Sequence, residues 1–364
     1  MKTAITTLFL AATVSFAEET ITYKDVVSRL TDLERLATPV VVGEKTFAST
    51  SHDRGSKYNA KTDIYERWSS NGDGGGSIRR EGNAQVMVDL KGAGVLWRTW
   101  SARADSGHVK IFIDGNETPI IDKPFKAYFD DFEREYPGLA KTLSLGRNEF
   151  IPISFSTSCK VIVEKGWGMY FHSTHTIFQE GTKVETFPGF TPEVKAMLKQ
   201  ASDAWDKRGM NPYSGKGNMS TKKETLAINP GKSESISLSG AGALRVIKVT
   251  PLELPQDKIA QEDVLRDLTI SIFWDGEKSP SGWSPLGDFF GTSPGPNPFK
   301  TLPMGCIDDT FYSNVVHALF QGGPPSGLQR WERGPHGIGR AGDDQTEEIR
   351  GRQAVALLRR LALR

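Results

Sequence analysis

The side chains best suited to contact a ligand are three aspartates, two arginines and a tryptophan, namely Asp53, Arg54, Asp73, Trp97, Arg98 and Asp288. Carboxylates and guanidinium groups hydrogen-bond to hydroxyl groups, and aromatic faces stack against the apolar faces of sugar rings. The set therefore contains the candidate substrate-binding residues, and their chemistry suits a ligand rich in hydroxyl groups. Because buried tryptophan is most often a core residue, packing is the competing interpretation for Trp97.

Other chemistries fit the sequence less well. Asp53, Arg54 and Asp73 lie in a stretch rich in Gly, Asn and Asp, which is typical of a surface loop and alternatively of a ligand-binding loop. No Lys-Ser/Thr pair and no helical pattern follow its glycines, so it is not a phosphate-binding loop. His172 and His175 are three apart in a predicted strand and point to opposite faces. We therefore expect no metal site and no cofactor.

Composition narrows the function classes further. The chain has 364 residues, which suits two domains, and 45 basic against 44 acidic side chains give a net charge of +1. This balance offers no electrostatic basis for binding nucleic acid or an anionic membrane. Abundant glycine and proline among short apolar runs predict many short strands joined by tight turns. Cys159 and Cys306 allow one disulfide or two free thiols.

The elements that must position these side chains occur twice. Ile111–Gly115 ends in Asp-Gly and is followed by Pro124–Phe129, and Ile272–Gly276 is followed by Pro285–Phe290 at the same spacing. Asp288 stands where the first copy has Ala127. Since Asp-Gly is a favoured hairpin dipeptide, this repeated block is predicted to be architectural.

Two further blocks recur in the same order: Gly92-Ala93-Gly94-Val95-Leu96 with Gly240-Ala241-Gly242-Ala243-Leu244, and Gly146, Asn148 and Phe150 with Gly295, Asn297 and Phe299. Repeated units of this size predict two copies of one β-sandwich. The fold class is therefore all-β, with two tandem jelly-roll-like sandwiches, a short N-terminal helix and a helical connector.

The chain divides accordingly. Residues 1–17 have the charged start, apolar run and small residues of a signal peptide cleaved near Ala17, which predicts a secreted or periplasmic protein. A buried N-terminal helix is the alternative. A leader helix is expected over 18–40, the first sandwich over 41–190, and a helical connector with linker over 191–224. The second sandwich, over 225–314, lacks the closing strands of the first.

The last residues, 315–364, differ in composition from the rest. The chain has 24 Lys and 13 Arg before Gln321, but 8 Arg and no Lys after it. Val315–Phe320 can be encoded by a string that, read one nucleotide later, gives Trp-Tyr-Met-Pro-Phe, which suits the missing strand. We hypothesise a one-base insertion near codon 315, which makes 315–364 an out-of-frame tail. A genuine disordered or helical tail is the alternative.

Several of these motifs resemble a known family. Gly92–Arg98, Trp274–Glu277, Pro285–Gly291 and Leu302–Gly305 are similar to glycoside hydrolase family 172, a jelly-roll family first catalogued as a domain of unknown function. The resemblance covers about residues 45–314. It implies retaining hydrolysis of fructofuranosyl or arabinofuranosyl glycans and a homo-oligomeric, ring-shaped assembly.

The same resemblance limits the mechanism. A retaining enzyme needs two carboxyl groups about 5 Å apart. In the family these belong to Trp-Trp-Gly-Glu-Gly-Asp and Gly-Thr-Gly-Ser-Glu-Asp-Tyr-Phe type segments, and neither occurs here, so no catalytic residue is assigned. We expect a furanosidase lineage without activity as encoded. The alternatives are a non-catalytic carbohydrate-binding or oligomer-forming module, and an unstable pseudogene product.

Overall fold

The computed structural model describes residues 20–39, 41–67, 72–74, 77–102, 104–164, 166, 170–215, 219–238, 242–319, 328–333 and 354–363. The predicted signal peptide lies outside these residues. The chain forms two compact units. Unit 1 takes the chain up to Val27 and Val41–Leu198, and unit 2 takes Ser28–Val40 and the chain from Lys199.

Unit 1 is built from two antiparallel sheets and a small hairpin. Its strands are β1 Lys45–Thr50, β2 Lys57–Asn59, β3 Ile64–Glu66, β4 Arg79–Glu81, β5 Ala84–Lys91, β6 Gly94–Ser101, β7 His108–Ile113, β8 Ile121–Pro124, β9 Ala140–Leu143, β10 Gly146–Glu149, β11 Ile153–Phe155, β12 Ser158–Glu164 and β13 Phe171–Ile177. One sheet has the order β1-β13-β6-β10-β9, with β11 also on β6, and the other has the order β4-β5-β12-β7-β8. The hairpin is β2-β3.

Unit 2 also has two antiparallel sheets. Its strands are β14 Ser220–Ile228, β15 Ser233–Ile236, β16 Gly242–Pro251, β17 Leu268–Phe273, β18 Gly282–Pro285, β19 Phe299–Lys300, β20 Met304–Ile307, β21 Thr310–Ser313, β22 His317–Leu319, β23 Leu328–Arg333 and β24 Ala354–Leu363. The orders are β14-β24-β16-β21-β20-β19, with β22 also on β16, and β15-β23-β17-β18. Among the described strands, this repeats the pairing order of unit 1 except at the edges, where unit 1 adds β4 and unit 2 adds β19.

The repeated Asp-Gly blocks have the same backbone conformation. Asp114 and Gly115 have φ of 54° and 71°, and Asp275 and Gly276 have φ of 46° and 80°. In each copy the residue directly after the pair closes the turn: Asn116 N donates to Ile113 O, and Glu277 N donates to Trp274 O. Two successive positive φ values are the pattern of a type I′ turn, which Asp-Gly accommodates. The duplicated turn predicted from the sequence is therefore present.

The third sequence echo does not hold in the structure. Gly146 and Asn148 lie in β10, which pairs with β6, whereas Gly295 and Asn297 lie in a turn before β19. The counterpart of β10 is β21, which pairs with β16. The Asn297 amide donates to the backbone oxygens of Thr292 and Pro294, so this asparagine is a turn residue. The shared letters reflect different local roles.

Residues beyond 314 contribute strands to unit 2. β23 pairs with both β15 and β17, and β24 pairs with both β14 and β16. These positions correspond to β12 and β13 of unit 1. The structure therefore differs from the expectation of an incomplete second sandwich. Because a sheet accepts any backbone that offers N–H and C=O groups in register, this pairing does not test the reading-frame hypothesis, which concerns the DNA.

The helices correct several predicted boundaries. The expected leader helix is only α1, Tyr23–Ser28, followed by a 3-10 helix over Glu34–Ala37. The Asp32 carboxylate accepts hydrogen bonds from Glu34 N and Arg35 N, so it starts a new turn and ends the continuous helical period. The expected connector helix is α3, Pro192–Asp206. The expected linker ends earlier than residue 224, because β14 begins at Ser220.

Three helices were not predicted: α2 Phe125–Glu135, α4 Lys258–Asp267 and α5 Leu286–Phe289. The signal for α2 was present, because its buried Phe125, Tyr128, Phe129 and Phe132 recur at helical spacing. Asp257 caps α4 by accepting a hydrogen bond from Ala260 N. Among the described residues, no helix is long and apolar enough to cross a bilayer.

Each unit has its own core. In unit 2 the two sheets enclose Ile228, Leu244, Ile270 and Phe311, all nearly inaccessible, and Trp274 packs against this cluster. In unit 1 the buried side chains include those of α2, which form a chain of aromatic contacts from Phe125 through Phe132. Cys159 and Cys306 are free and buried, one in each unit. Burial raises the pKa of both thiols.

Candidate functional site

The central strand β6 of unit 1 carries partly exposed polar and aromatic side chains on one side of its sheet. The ladder between β13 and β6 shifts between Thr174 and His175, so Trp97 has no partner and forms a bulge. The extra residue lets Trp97 and Arg98 point to the same side of the sheet. That outer side also presents His172, which pairs with Trp100 in the same ladder. A bulge thus gathers side chains that simple alternation would separate.

Arg98 is the centre of this surface. Its Nη2 and Nε donate to Asn148 Oδ1 at 2.8 and 3.3 Å, and its Nη1 lies 3.2 Å from His172 Nδ1. The guanidinium carbon also lies 5.6 Å from the centre of the Phe150 ring, within cation–π range. We call Arg98, Trp100, Asn148, Phe150 and His172 the Arg98 face. All five side chains are half-buried.

The charges of this face follow from its contacts. Burial lowers the pKa of His172, and the positive charge of Arg98 lowers it further. Burial also lowers the pKa of Arg98. Since a guanidinium only donates, His172 Nδ1 is the acceptor and the imidazole proton lies on Nε2. The face therefore carries a neutral imidazole N–H and a cationic guanidinium, two groups that are hydrogen-bond donors.

The indole of Trp100 approaches Gly146 of the neighbouring strand β10 with its Nε1 edge. A Cβ at Gly146 would approach Trp100 Nε1 to 2.2 Å, so only glycine at this point of β10 leaves room for the ring. Gly146 thus leaves the space that the Trp100 indole occupies on the Arg98 face. An aromatic plane next to hydrogen-bond donors is the arrangement that stacks a sugar ring and binds its hydroxyl groups.

Three of the predicted site residues stabilise the loop that follows β1. The Asp53 carboxylate accepts from Gly55 N and Gly72 N, both at 2.8 Å, and Asp73 accepts from Asp53 N at 2.8 Å. These backbone hydrogen bonds lower the pKa of Asp53. Arg54 Nη2 donates to the carbonyl of Thr50 at 3.2 Å. The structure brings Asp53, Arg54 and Asp73 together, and these hydrogen bonds stabilise the fold of the loop.

The remaining predicted residues have structural contacts. Trp97 packs on the cluster of Val26, Val95 and Phe178, and its indole N–H donates to Thr176 Oγ1 at 2.8 Å. Packing was the competing interpretation for this residue. In unit 2, Arg266 Nη1 donates to Asp288 Oδ1 at 3.0 Å, which ties α5 to α4. Of the six predicted residues, Arg98 alone belongs to the Arg98 face.

Sequence reasoning missed the other members of the face. His172 was considered only as a metal ligand, Asn148 and Phe150 only as parts of a repeat, and Trp100 was not in the predicted set. The usable signal was their alternation, because Arg98 and Trp100, and Asn148 and Phe150, are two apart on their strands. The pairing of β10 and β13 on either side of β6 could not be read from spacing alone.

A buried carboxyl group, that of Glu149, lies on the inner side of the same sheet. Glu149 is fully buried, and burial raises its pKa to about 8. Tyr128 Oη donates to Glu149 Oε2 at 2.6 Å, and Ile151 N donates to Oε1. Thr99, its ladder partner, has a buried Oγ1 for which the described residues provide no partner. The described part of the chain holds no group of His, Cys, Asp and Glu suited to a metal ion.

These features define a class of protein: two tandem antiparallel β-sandwiches with one strand order, the first of which carries a polar and aromatic sheet face. Comparison with protein families agrees with this class. Residues 42–194 match the first β-sandwich domain of glycoside hydrolase family 172, and residues 218–317 match a domain-like region of the same family. The chain belongs to glycoside hydrolase family 172.

Other comparisons add little. No curated protein matches the sequence. Among solved structures, the chain is similar to the major capsid protein P2 from Bacteriophage PM2, with 9% identity and a TM-score of 0.20. That match covers 78% of this chain and 93% of the capsid protein. At this level the likeness carries no functional information.

Proposed function

We propose that this chain binds furanose-containing glycans through the Arg98 face and that, as encoded, it does not hydrolyse them. Membership of a glycoside hydrolase family supports a carbohydrate partner. The observation that carries the proposal is the joint presence of the Trp100 indole plane, the Arg98 guanidinium and the His172 Nε2–H on one sheet surface. Fructofuranosyl and arabinofuranosyl glycans are the substrates that the family resemblance implies.

The absence of hydrolysis rests on the sequence. Neither of the two glutamate segments that the resemblance assigns to catalysis occurs in the chain. The carboxylates that were considered as ligands instead hold backbone or side-chain partners, as Asp53 does with Gly55 and Gly72. A retaining mechanism without its nucleophile and acid/base pair has no route to a glycosyl-enzyme intermediate.

The reading-frame hypothesis is part of this proposal. The second family match ends at residue 317, next to codon 315, and the basic residues change from mixed Lys and Arg to Arg alone shortly after it. An insertion there would place the catalytic segments in another frame. Sequencing the DNA downstream of codon 314 tests this: further family sequence in another frame supports it, and its absence overturns it.

Export remains part of the proposal as well. The charged start, apolar run and small residues before Glu18 support a signal peptide in residues 1–17. Expression of the full chain in a bacterial host, followed by N-terminal sequencing of the periplasmic product, measures cleavage. We expect the mature chain to begin at Glu18, and an uncleaved cytoplasmic product would contradict export.

Glycan binding is tested by calorimetry with arabinan and fructan polymers and with short oligosaccharides from each. We expect binding by the intact chain, with at least tenfold weaker affinity for Trp100→Ala and for Arg98→Met. Trp283→Ala is a matched control, because this exposed tryptophan of unit 2 lies outside the face. Unchanged affinity in both face variants would move the binding site elsewhere.

The protonation of His172 gives an independent readout. Because Arg98 donates to Nδ1, protonation of this nitrogen turns an acceptor into a donor and disrupts the pair. With a lowered His172 pKa, affinity should be constant near neutral pH and fall only in acid. Hydrolysis of a 4-nitrophenyl arabinofuranoside by the purified chain would overturn the inactive assignment but not the binding site.

An oligomer-forming module is the second candidate, and one observation favours it. The β2-β3 hairpin exposes Tyr58, Ile64 and Tyr65, and the two tyrosine rings lie 5.2 Å apart. Light scattering of the purified chain measures its mass in solution. A homo-oligomer that dissociates in Tyr58→Ser/Tyr65→Ser would support an assembly role, and a monomer at all concentrations would remove it.

We also propose that both units are jelly rolls. The pairing order β1-β13-β6-β10 with β5-β12-β7-β8 in unit 1, repeated by β14-β24-β16-β21 with β15-β23-β17-β18 in unit 2, supports this. An experimental structure with different central strands in either unit would contradict it.

A further inference from the structure

Unit 2 contains a cleft of about 500 Å³ between strand β16 and the segment 32–38. Gly242, Ala243 and Arg245 of β16 line one side, and Asp32, Glu34 and Arg35 line the other. This volume lies within the range of small-molecule sites. The segment is held on unit 2 by Leu33 and Ala37, which pack with Val246 and Tyr213.

The base of the cleft is a buried arginine. Arg245 is only 5% exposed, and its guanidinium lies 4.8 Å from the centre of the Tyr213 ring. Its Nη1 donates to Glu34 Oε1, and its Nε is buried without a partner among the described residues. A buried cation is costly unless its donors are satisfied, so an arginine kept with spare donors beside an open cleft indicates a ligand position.

The accessible donors can be identified by elimination. Within the described part of the chain, Nη2 of Arg245 has no hydrogen bond to protein, yet it is not among the fully enclosed polar atoms. Because Arg245 lines the cleft, the N–H groups of Nη2 face the open space. Across the cleft, Asp32 supplies an acceptor through its carboxylate Oδ2, since Oδ1 accepts from Glu34 N and Arg35 N. Donors and acceptors therefore face one another across the space.

The charges of the lining select a class of ligand. Two carboxylates, Asp32 and Glu34, balance two guanidinium groups, Arg35 and Arg245. A balanced lining gives no net attraction for an anion or a cation. Alternating donors and acceptors suit hydroxyl groups, each of which both donates and accepts.

We infer that this cleft is a second carbohydrate site, which takes one neutral sugar ring. The choice of a sugar among neutral polyols rests on the proposed function. The site is separate in its residues from the Arg98 face: none of the residues that line it belongs to unit 1. Arg245 donates through Nη2 to ring hydroxyls, Asp32 Oδ2 accepts from them, and Glu34 holds the Arg245 guanidinium in place through Nη1.

The test uses the whole chain with free D-fructose and D-arabinose as probes, measured by saturation-transfer NMR and titration. We expect millimolar binding by the intact protein that is at least tenfold weaker in Arg245→Lys. Lysine keeps a positive charge for Glu34 but lacks the second pair of N–H groups. D-Gluconate and D-glucosamine serve as charged controls, and we expect each to bind more weakly than the neutral sugars.

A second variant protects the test against misfolding. Ala243→Leu narrows the cleft without removing a charge, and it should also weaken binding at least tenfold while circular dichroism shows a folded chain. Trp283→Ala, which lies outside both sites, should leave monosaccharide binding unchanged. Full binding in both cleft variants would overturn the inference, and so would the absence of any monosaccharide binding.

The two proposals fail separately. If polymers bind and Trp100→Ala abolishes their binding while cleft variants change nothing, the Arg98 face stands and the cleft is excluded. If monosaccharides bind and depend on Arg245 while Trp100→Ala has no effect on polymers, the cleft stands and the face is excluded.

Discussion

The central strands of the two units, β6 and β16, have the same construction but opposite surroundings. Each begins at the second glycine of a Gly-Ala-Gly motif, and in each the fourth residue is skipped by the ladder, Trp97 in β6 and Arg245 in β16. In unit 1 the next residue is Arg98, which is half-exposed. In unit 2 it is Val246, which is fully buried under Tyr213, Leu33 and Ala37.

The N-terminal segment covers both bulges by different means. Val26 of α1 packs against Val95 and Trp97 in unit 1, and the 3-10 helix brings Glu34 to Arg245 in unit 2. The bulge at Trp97 is covered by apolar contacts, and the bulge at Arg245 is covered by an ion pair with Glu34. Duplication thus preserved the backbone irregularity, while substitution at two adjacent positions moved the arginine from an open sheet face to the base of a cleft.

The inner faces differ as well. Glu149 of β10 pairs with Thr99 of β6, whereas the equivalent pair in unit 2 is Ser313 and Ile247. Unit 1 therefore has a buried ionisable group at a position where unit 2 has none. This difference separates the two units experimentally.

The largest expected effect concerns the tail strands. Removing residues 320–364 deletes β23 and β24, each of which is central in its sheet of unit 2. We expect unit 2 to unfold, with loss of its whole stability of about 5–15 kcal/mol, while unit 1 keeps its structure. Hydrogen exchange of peptides from β17 and β5 measures whether unit 2 and unit 1, respectively, remain folded. Retained protection in β17 would show that the tail strands are dispensable for the fold of unit 2.

The next effect is the pH dependence of unit 1. Glu149 has a folded pKa of about 8 against an ordinary value of 4.5. Between these values the folded unit keeps a proton that the unfolded chain has lost, so its free energy of unfolding falls as pH rises, by about 1.4 kcal/mol per pH unit, and levels off above pH 8. Urea denaturation from pH 5 to 8.5, with the unfolding of unit 1 detected by amide hydrogen exchange, measures this pH dependence.

Glu149→Gln is the matched control for that measurement. The glutamine oxygen accepts from Ile151 N and its amide N–H donates to Tyr128 Oη, so both contacts are kept, but the side chain does not ionise. The pH slope of unit 1 should flatten in this variant, and unit 2 should show no slope from the equivalent Ser313 position. An unchanged slope in Glu149→Gln would assign the pH dependence to other groups.

Gly146→Ala tests the support of the Arg98 face. The added Cβ cannot coexist with the Trp100 indole in its present position, so we expect a loss of about 1–3 kcal/mol in unit 1. Binding of glycan polymers should fall with it. Gly282→Ala in β18 is the control. A Cβ added at Gly282 would lie 3.6 Å from Ile272 Cβ, its nearest atom outside the adjacent residues, which is an ordinary van der Waals contact. Equal effects of the two substitutions would remove the special role of Gly146.

The smallest effect concerns a helix that unit 2 has and unit 1 lacks, α4. Asp257→Ala removes the side chain that accepts from Ala260 N, and we expect a loss of about 1 kcal/mol of stability in unit 2. Asp257→Asn retains an acceptor and should cost much less. Exchange rates of the α4 amides measure both variants. Similar rates in both would show that the cap contributes little.

Several features were predictable from the sequence because their causes are local. The duplicated Asp-Gly turns follow from the conformational preference of that dipeptide, and helix α3 follows from apolar residues at helical spacing. The third predicted repeat was wrong because Gly146 lies in strand β10 whereas Gly295 lies in a turn, although both residues are glycine. Helix α2 was overlooked although its aromatic spacing was readable, since the repeat drew attention to the pair Tyr128 and Phe129 rather than to the four-residue period.

The sequence by itself determined a two-unit β architecture, the position of its turns and its family, because strand propensity, turn chemistry and repeated motifs act over a few residues. Only the tertiary structure decided which polar residues meet. Arg98, Asn148 and His172 are brought together by pairing between strands distant in the chain, and a one-residue bulge sets the side of the sheet to which Trp97 and Arg98 point. Register and bulges are cooperative properties of whole sheets, so no single segment encodes them.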